Sequence, residues 1–146
     1  MTGAGSGIGQ AVALALAEAL PRHIVFGLVR RDDQASAFVA TRVRAVVGDL
    51  TQPTSLDAAV LTVVRAGPLV GVFDSAGVVV QNLPVEFMDV GQMRRVYDVD
   101  VFGLVELLKR TIPHVRDAGG RLVFMGSVTG VVTTRRRPWL RRASVP

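Results

Sequence analysis

The chain has 146 residues, of which 49% are hydrophobic, and its mean hydropathy is +0.39. This length and composition predict one domain with a well-filled core and exclude a disordered chain. The absence of cysteine excludes disulfides, thiolate catalysis and cysteine-ligated zinc, and two histidines far apart in sequence, His23 and His114, predict no metal site. The apolar runs are too short to span a membrane and no signal segment precedes the first glycines, so we expect a soluble, cytoplasmic protein.

The charge is distributed very unevenly along the chain. A net charge of +5 and a pI near 11.2 are typical of proteins that bind nucleic acid or an anionic membrane surface. Five arginines within residues 135–146 account for this whole net charge, however, so residues 1–134 are neutral overall. The basic end carries neither interleaved aromatic residues nor a helix-turn-helix pattern. We therefore predict no nucleic-acid partner and no membrane partner.

The most informative stretch is a glycine-rich loop at the start of the chain. Glycines occupy positions 3, 5, 7 and 9, and an apolar helix-forming run over residues 10–20 follows them until Pro21. Glycines let backbone amides come close to an anion, and the first turn of a helix offers free N–H groups and the positive end of its dipole. The loop therefore predicts a site for a nucleotide pyrophosphate, with these contacts: Gly3, Ser6, Gly7, Ile8 and Gly9. The alternative is a glycine-rich helix entry that binds no ligand.

Apolar runs alternate with helical patterns along the rest of the chain. Strands are predicted over residues 23–29, 43–47, 69–73 and 121–126, and helices over 34–41, from a cap at Thr54 or Ser55 to Gly67, and over 90–115. Helical spacing predicts three buried stripes, which are Ile8, Val12, Leu16 and Leu20; Leu56, Val60, Val63 and Val64; and Val101, Leu104, Val105, Leu108 and Ile112, with Gly103 allowing close packing. This alternation predicts an α/β fold with a Rossmann-like, doubly wound parallel sheet.

The predicted sheet is incomplete. In a βαβ unit the glycine loop follows a buried strand, but the chain begins one residue before the motif. In the usual strand order the absent strand lies between the predicted strands 23–29 and 69–73. We therefore expect the sheet either to close this gap or to remain open there.

Charged residues mark the ends of two predicted strands. Arg30 and Arg31 follow the strand that ends beside the adenosine ribose in doubly wound sheets. An arginine there accepts the 2′-phosphate of NADP, whereas an acidic residue binds the 2′-hydroxyl of NAD, so the pair favours NADP. The alternative is a solvated charge cluster. Asp49 lies at the carboxyl end of the next strand, the edge where ligands bind in such sheets.

Five motifs in order resemble the short-chain dehydrogenases/reductases of the classical type. They are Thr2-Gly3-x-x-x-Gly7-Ile8-Gly9, the arginine at Arg30, Asp49-Leu50, Asp74-Ser75-Ala76-Gly77 and the strand that ends at Ser127, and together they span about residues 2–132. The resemblance implies hydride transfer between an alcohol and a carbonyl with NADP, NAD being the less expected cofactor. It also implies a small-molecule substrate, in a family that is often homo-oligomeric.

The resemblance also implies roles for individual residues. Asp49 and Leu50 contact adenine; Asp74, Ala76 and Gly77 hold the sheet centre and the nicotinamide-side ribose; and Ser127 hydrogen-bonds the substrate carbonyl. Two departures stand out. Asp74 and Ser75 replace the family's two asparagines, and Asp100 occupies the place of an asparagine that helps to hold a proton-relay water. An acidic helix residue without that role is the alternative at Asp100.

The family's catalytic Tyr-x-x-x-Lys pair is absent where it is due. The only tyrosine and the only lysine, Tyr97 and Lys109, precede the serine strand. Since a positioned proton donor contributes ~10²–10⁴ of rate, the chain as written is predicted to be inactive unless a neighbouring chain or a longer product supplies the pair. The alternative is a non-catalytic nucleotide-binding fragment or a frameshifted pseudogene product.

Two segments are therefore predicted, a partial Rossmann NAD(P)-binding domain over residues 1–132 and a basic tail over 133–146. We predict that the tail is disordered or out of frame, because periodicity stops where it begins and it is rich in arginine. We expect a neighbouring reading frame to encode the Tyr-x-x-x-Lys pair, and codons upstream of Met1 to encode four to six apolar residues. Sequencing of the locus tests both expectations.

Overall fold

A computed structural model describes residues 1–79 and 83–128. Short parallel strands alternate with helices in the order that the sequence predicts. The α-helices are α1 (Gly7–Ala19), α2 (Asp32–Ala35), α3 (Pro53–Arg65), α4 (Val90–Tyr97) and α5 (Leu104–Asp117); the strands are β1 (Val25–Val29), β2 (Val43–Val47), β3 (Gly71–Asp74) and β4 (Arg121–Phe124). Two 3₁₀ turns (Ser36–Phe38 and Val85–Phe87) and a π-helical segment (Asp98–Gly103) complete the described elements.

The strands form two parallel pairs joined by the first residues of the chain. β1 pairs with β2 from Val25 opposite Val43 onward, and β3 pairs with β4 from Gly71 opposite Arg121 onward. The Met1 backbone donates to the Phe26 carbonyl at 2.6 Å and accepts from Leu28 at 2.8 Å. On its other side, the Thr2 amide donates to the Phe73 carbonyl at 3.0 Å.

These bonds set the spatial order β2, β1, residues 1–2, β3, β4. The predicted α/β fold with an incomplete, doubly wound parallel sheet is confirmed. Between β1 and β3, residues 1–2 bond to the two strands only near their carboxyl ends, beside the glycine loop. The two halves of the sheet are therefore linked mainly at the edge that carries the candidate site.

The buried face of α1 differs from the predicted stripe. Gly9, Ala13 and Ala17 are buried, whereas Ile8 is 63% exposed and Leu20 is 41% exposed. The helix lies so close to the strands that only glycine and alanine fit against them, and the larger side chains are displaced to its flanks. The predicted stripe is thus wrong by one residue.

Two apolar clusters flank the join in the sheet. One contains Ala13, Ala17, Val29, Phe38 and Val43, between α1 and the pair β1–β2. The other is formed where α3 and α5 meet β3, by Leu50, Leu56, Val72, Leu107 and Val115. The second cluster also packs against Leu28 of β1, so apolar contacts as well as backbone bonds join the two pairs of strands.

The long helix predicted over residues 90–115 consists of α4, the π-helical segment and α5 in succession. Its buried stripe is Gly103, Leu107, Thr111 and Val115, whereas Val101 and Val105 are about half exposed. Within α5 the predicted stripe is displaced by one position, and its residues Leu104, Leu108 and Ile112 are only partly buried on the flank of the helix. The predicted close packing at Gly103 is confirmed, since a Cβ there would lie 2.8 Å from the Cβ of Leu50.

Two local predictions are also corrected. The helix predicted over residues 34–41 is only the four-residue α2 followed by a 3₁₀ turn. Neither Thr54 nor Ser55 caps α3, which begins at Pro53 after Gln52. The Ser55 hydroxyl instead accepts a hydrogen bond from the Asp49 amide at 3.2 Å, and so ties the end of β2 to the helix.

Candidate functional site

The predicted site residues converge on one edge of the sheet. Arg30 follows β1, Asp49 follows β2, Asp74 ends β3 and Ser127 lies three residues after β4. Because all four strands run in parallel, their carboxyl ends meet at the same edge. The glycine loop crosses the middle of this edge, where the Ala4 amide donates to the Leu28 carbonyl at 3.3 Å.

One side of the glycine loop packs closely against the backbone at Ser75, and the other side is open. Gly3 has a φ of +64°, and a Cβ on it would lie 2.5 Å from the Ser75 carbonyl oxygen. A Cβ on Gly9 would overlap the Gly3 carbonyl. Gly7 has a φ of +56° and no heavy atom within 4 Å of the position of a Cβ. The open side faces the start of α1, where no side chain caps the free backbone amides.

This geometry fits a pyrophosphate. Ser6 precedes α1 as its N-cap, and both Ser6 and Ile8 are exposed at the open side of the loop. A phosphate placed there would meet backbone N–H donors and the positive end of a 13-residue helix. The loop can therefore bind an anion without a basic side chain.

Gln34 also belongs to the site, although the sequence patterns did not predict it. Its side-chain oxygen accepts from the backbone amides of Arg30 and Arg31 at 3.0 and 3.3 Å. A Cβ on Gly5 would lie 2.7 Å from its amide nitrogen, so Gln34 packs directly on the glycine loop. It fastens the turn after β1 to that loop. A glutamine at the third position of a helix is a capping-box signal and could have indicated this role.

The structure separates the two arginines that the sequence treats as a pair. The Arg31 guanidinium binds both oxygens of Asp33, at 2.8 and 2.9 Å, on the outer surface. Both members of this ion pair are largely exposed, and their hydrogen bonds lower the pKa of the Asp33 carboxyl and raise that of Arg31. Arg30 instead lines a cleft of about 440 Å³ together with Asp49 and Leu50. Of the two, only Arg30 faces the predicted adenosine site.

Asp49 shapes the floor of this cleft. Its carboxylate accepts from the Thr51 backbone at 2.9 Å and from the Thr51 hydroxyl at 2.8 Å. Leu50 is buried against α5. The end of β2 is thus held in a fixed turn.

Asp74 lies inside the fold, where it is only 7% exposed. The Thr2 hydroxyl donates to its carboxylate and accepts from the amides of Ser75 and Ala76, at 3.2 and 3.1 Å. Burial raises the pKa of the Asp74 carboxyl, the Thr2 hydrogen bond opposes this rise, and the nearby charge of Asp100 adds a smaller increase. Asp74 therefore joins the glycine loop to β3 at the sheet centre.

Asp100 contacts the turn after β3, and Ser127 follows the neighbouring strand β4. The Asp100 carboxylate accepts from the Val78 amide at 2.8 Å, and a Cβ on Gly77 would lie 3.7 Å from it. Ser127 is exposed beyond β4, whose following residue, Met125, donates to the Asp74 carbonyl at 2.8 Å. Asp74, Ala76, Gly77 and Asp100 thus form one group at the end of β3. The tail over residues 133–146 lies outside the described residues.

A glycine loop that crosses the carboxyl edge of a parallel sheet and leads into a helix defines a nucleotide-binding α/β domain. Comparison with known proteins gives the family. The family described as short chain dehydrogenase matches residues 1–138. The chain belongs to the short-chain dehydrogenase/reductase family, whose members are oxidoreductases that use NAD or NADP.

Relatives and solved structures agree with this assignment. Retinol dehydrogenase 16 of Rattus norvegicus is 31% identical over 134 residues, which cover 89% of this chain and 42% of the relative. The putative oxidoreductase SadH of Mycobacterium tuberculosis is 31% identical, with 90% and 50% covered. A short-chain type dehydrogenase/reductase from Mycobacterium ulcerans superposes with a TM-score of 0.82 at 31% identity, with 92% and 52% covered.

The chain spans about half the length of the relatives that it matches. Within residues 1–79 and 83–128, none of the helices is long and apolar enough to cross a membrane.

Proposed function

We propose that this chain binds NADP in preference to NAD, as the nucleotide-binding part of an oxidoreductase. The observation that carries the preference is the placement of Arg30 in the cleft beside Asp49 and Leu50. No acidic partner of Arg30 is found among the described residues, whereas Arg31 is paired with Asp33. Arg30 is therefore available for the 2′-phosphate, and Arg31 is not needed for it.

The chain's own residues would hold the cofactor along the edge of the sheet. Gly3, Gly7 and Gly9 give the pyrophosphate access to backbone amides, with Ser6 and Ile8 at the open side of the loop. Asp49 and Leu50 border the adenine, while Ala76, Gly77 and the Asp74 turn support the nicotinamide-side ribose. The bound cofactor supplies the hydride acceptor or donor for a small alcohol or carbonyl.

For the whole protein we propose hydride transfer between an alcohol and a carbonyl, with Ser127 as the hydrogen-bond donor to the substrate oxygen. Asp100 would hold a water through its backbone. The 146-residue chain alone is expected to bind the cofactor without turnover. Tyr97 lies in a surface groove along α4, and Lys109 binds Glu106 at 3.0 Å on α5, so their present positions do not form the missing pair.

Fluorescence titration of the full 146-residue chain with NADPH and NADH tests the proposal. We expect NADPH to bind more tightly, and Arg30→Ala to weaken NADPH by roughly 5- to 150-fold, the equivalent of ~1–3 kcal/mol. Arg22→Ala, an exposed arginine before β1, is the matched control and should change neither titration. Equal affinities for both cofactors, unaffected by Arg30→Ala, would reduce Arg30 to a solvated surface charge.

We further propose a cytoplasmic location and no nucleic-acid partner. The support for the second point is that residues 1–134 carry no net charge. Retention of the chain on immobilised DNA at about 0.15 M salt would contradict it, because only the arginine-rich end could account for such binding.

A further inference from the structure

The cleft beside Arg30 has a second wall that is not part of the glycine loop or of the strand ends. On the strand side it is lined by Arg30, Asp49 and Leu50, and on the helix side by Arg95, Val99 and Phe102. Arg95 lies in the last turn of α4 and Val99 in the π-helical segment that follows. The helix therefore places a guanidinium and two apolar side chains opposite the predicted adenosine residues.

The two arginines of the cleft differ from those that stabilise the fold. Arg31 is paired with Asp33, and Arg110 is paired with Asp57 at 2.5 Å and with Glu106. Within the described part of the chain, Arg30 and Arg95 have no such ion pair. Both face a volume large enough for a ligand, so their charge is available to it.

We propose that Arg95 is a second specificity-determining residue, which binds the 2′-phosphate of NADP together with Arg30. This inference rests on the proposed preference for NADP. A phosphate monoester carries a charge of about −1.5 to −2 at neutral pH, so one guanidinium neutralises it only in part. Residues 2–9 contain no basic side chain, and therefore the second positive charge must come from another element. Arg95 supplies it from the helix wall.

The remaining residues of the cleft select a nucleotide over a simple anion. Asp49 and Asp98 place carboxylates in the same cleft, and these would repel an isolated phosphate or sulfate. An amino-substituted purine offers N–H donors to a carboxylate and an apolar ring face to Leu50, Val99 and Phe102. Adenosine 2′-phosphate has both features: its amino group can donate to a carboxylate of the cleft, and its 2′-phosphate can bind the arginines.

The neighbouring arginine provides a matched control. Arg94 and Arg95 lie side by side in the last turn of α4, and both are exposed. Arg94 lines an adjoining groove of about 350 Å³ with Val90, Met93 and Tyr97, which meets the cleft at Asp98 and Phe102. Substitution of either residue removes one charge from the same helix end, but only Arg95 lines the cleft.

Calorimetric titration of the full 146-residue chain with 2′,5′-ADP and with 5′-ADP separates the possibilities. We expect Arg95→Ala to weaken 2′,5′-ADP by about 10-fold or more, to leave 5′-ADP within about twofold, and to be partly rescued by Arg95→Lys. Arg94→Ala should leave both ligands unchanged. Thermal melts of each variant confirm that the fold is retained.

The other outcomes overturn the proposal in distinguishable ways. If Arg30→Ala weakens 2′,5′-ADP and Arg95→Ala does not, the role of Arg95 is wrong and the proposed cofactor preference stands. An equal loss for both ligands in Arg95→Ala would mean that the residue does not read the 2′-phosphate. If the unsubstituted chain binds neither ligand, both this inference and the proposed function are wrong.

Discussion

At the scale of single residues, the site depends on its glycines, which have no side chain, as much as on its larger residues. Gly9 is buried where α1 meets the loop, and its Cα faces the Gly3 carbonyl and the Ser75 hydroxyl. The amides that would bind a pyrophosphate keep their direction only while this contact is made. A methyl group added at Gly9 would therefore change both the stability of the chain and its binding of a pyrophosphate.

We expect Gly9→Ala to destabilise the chain by ~1–3 kcal/mol, the range for overpacking, and to abolish detectable NADPH binding. Urea denaturation and fluorescence titration measure the two effects. Gly71→Ala is the control, because a Cβ there would lie at an ordinary 3.7 Å from the Arg121 carbonyl and far from the loop. A Gly9→Ala variant that binds NADPH normally would show that the loop does not hold the pyrophosphate.

Asp74 makes the stability of the chain depend on pH. Burial raises the pKa of its carboxyl in the folded state above the value of about 3.9 that an unfolded aspartate has. The folded state then binds the proton more tightly than the unfolded state. The contribution of Asp74 to stability is therefore fully present below about pH 3.9 and is lost as pH rises through the raised folded pKa.

Asp74→Asn should consequently stabilise the chain at pH 7, because an amide oxygen still accepts from the Thr2 hydroxyl without a buried charge. A rise in Tm of roughly 2–4 °C corresponds to ~1 kcal/mol for a chain of this size. The gain should shrink as the pH is lowered toward 4. Glu18→Gln, on the exposed side of α1, serves as the control and should not alter Tm. A lower Tm for Asp74→Asn at pH 7 would show that the carboxylate is stabilising.

At the scale of elements, the strands could be predicted from the sequence better than the faces of the helices. Buried parallel strands are continuous apolar runs, and β2 coincides with its predicted range, residues 43–47. The stripe on α1 was missed because glycine and alanine make the closest contacts, and hydrophobic periodicity weights large side chains. The stripe on α5 was missed because a polar residue, Thr111, lies on its buried face between Leu107 and Val115. The π-helical segment at Asp98–Gly103 has no sequence signal of this kind.

The candidate site was predictable to the extent that it follows from backbone geometry. The glycine loop, Arg30 and Asp49 all lie at the expected edge. The sequence could not predict that Arg30 lines the cleft while Arg31 pairs with Asp33, because this depends on the direction of each side chain after the strand. The capping role of Gln34 has a local signal, but its packing on Gly5 and the proposed role of Arg95 depend on the packing of distant segments, which local patterns do not encode.

Gly103 fixes the approach of the long helix to the end of β2. Alanine favours a helix over glycine by about 1 kcal/mol, but a Cβ at Gly103 would lie only 2.8 Å from the Cβ of Leu50. Because overpacking costs ~1–3 kcal/mol, we expect a net loss of stability in Gly103→Ala, together with weaker NADPH binding as Leu50 moves. Val105→Ala, about half exposed on the same helix, should stay within ~0.5 kcal/mol. A stabilised Gly103→Ala would mean that the helix can shift freely.

At the scale of the whole molecule, the two pairs of strands are coupled through very few bonds. Within residues 1–79 and 83–128, the backbone link across the sheet runs through Met1, Thr2 and Ala4, and the hydroxyl of Thr2 adds the bonds to the end of β3. Apolar contacts also join the pairs, because the cluster around Val72 of β3 includes Leu50 after β2 and packs against Leu28 of β1. Apolar side chains of β4 are also exposed, with Val123 at 49% and Phe124 at 47%.

We therefore expect the purified 146-residue chain to unfold without full cooperativity. Native-state hydrogen exchange should give different opening free energies for the amides of β1–β2 and of β3–β4, since no strand-to-strand hydrogen-bond ladder joins the two pairs. A hydrophobic dye should bind at room temperature, and the loss of near-ultraviolet circular dichroism should be broad and should precede the loss of helix signal. Saturating NADPH should sharpen the transition, because a ligand that bridges the glycine loop and the cleft binds only when both halves are docked. A single sharp transition above ~50 °C without cofactor, with coincident probes and uniform exchange, would show that the few bonds at residues 1–4 suffice to couple the halves.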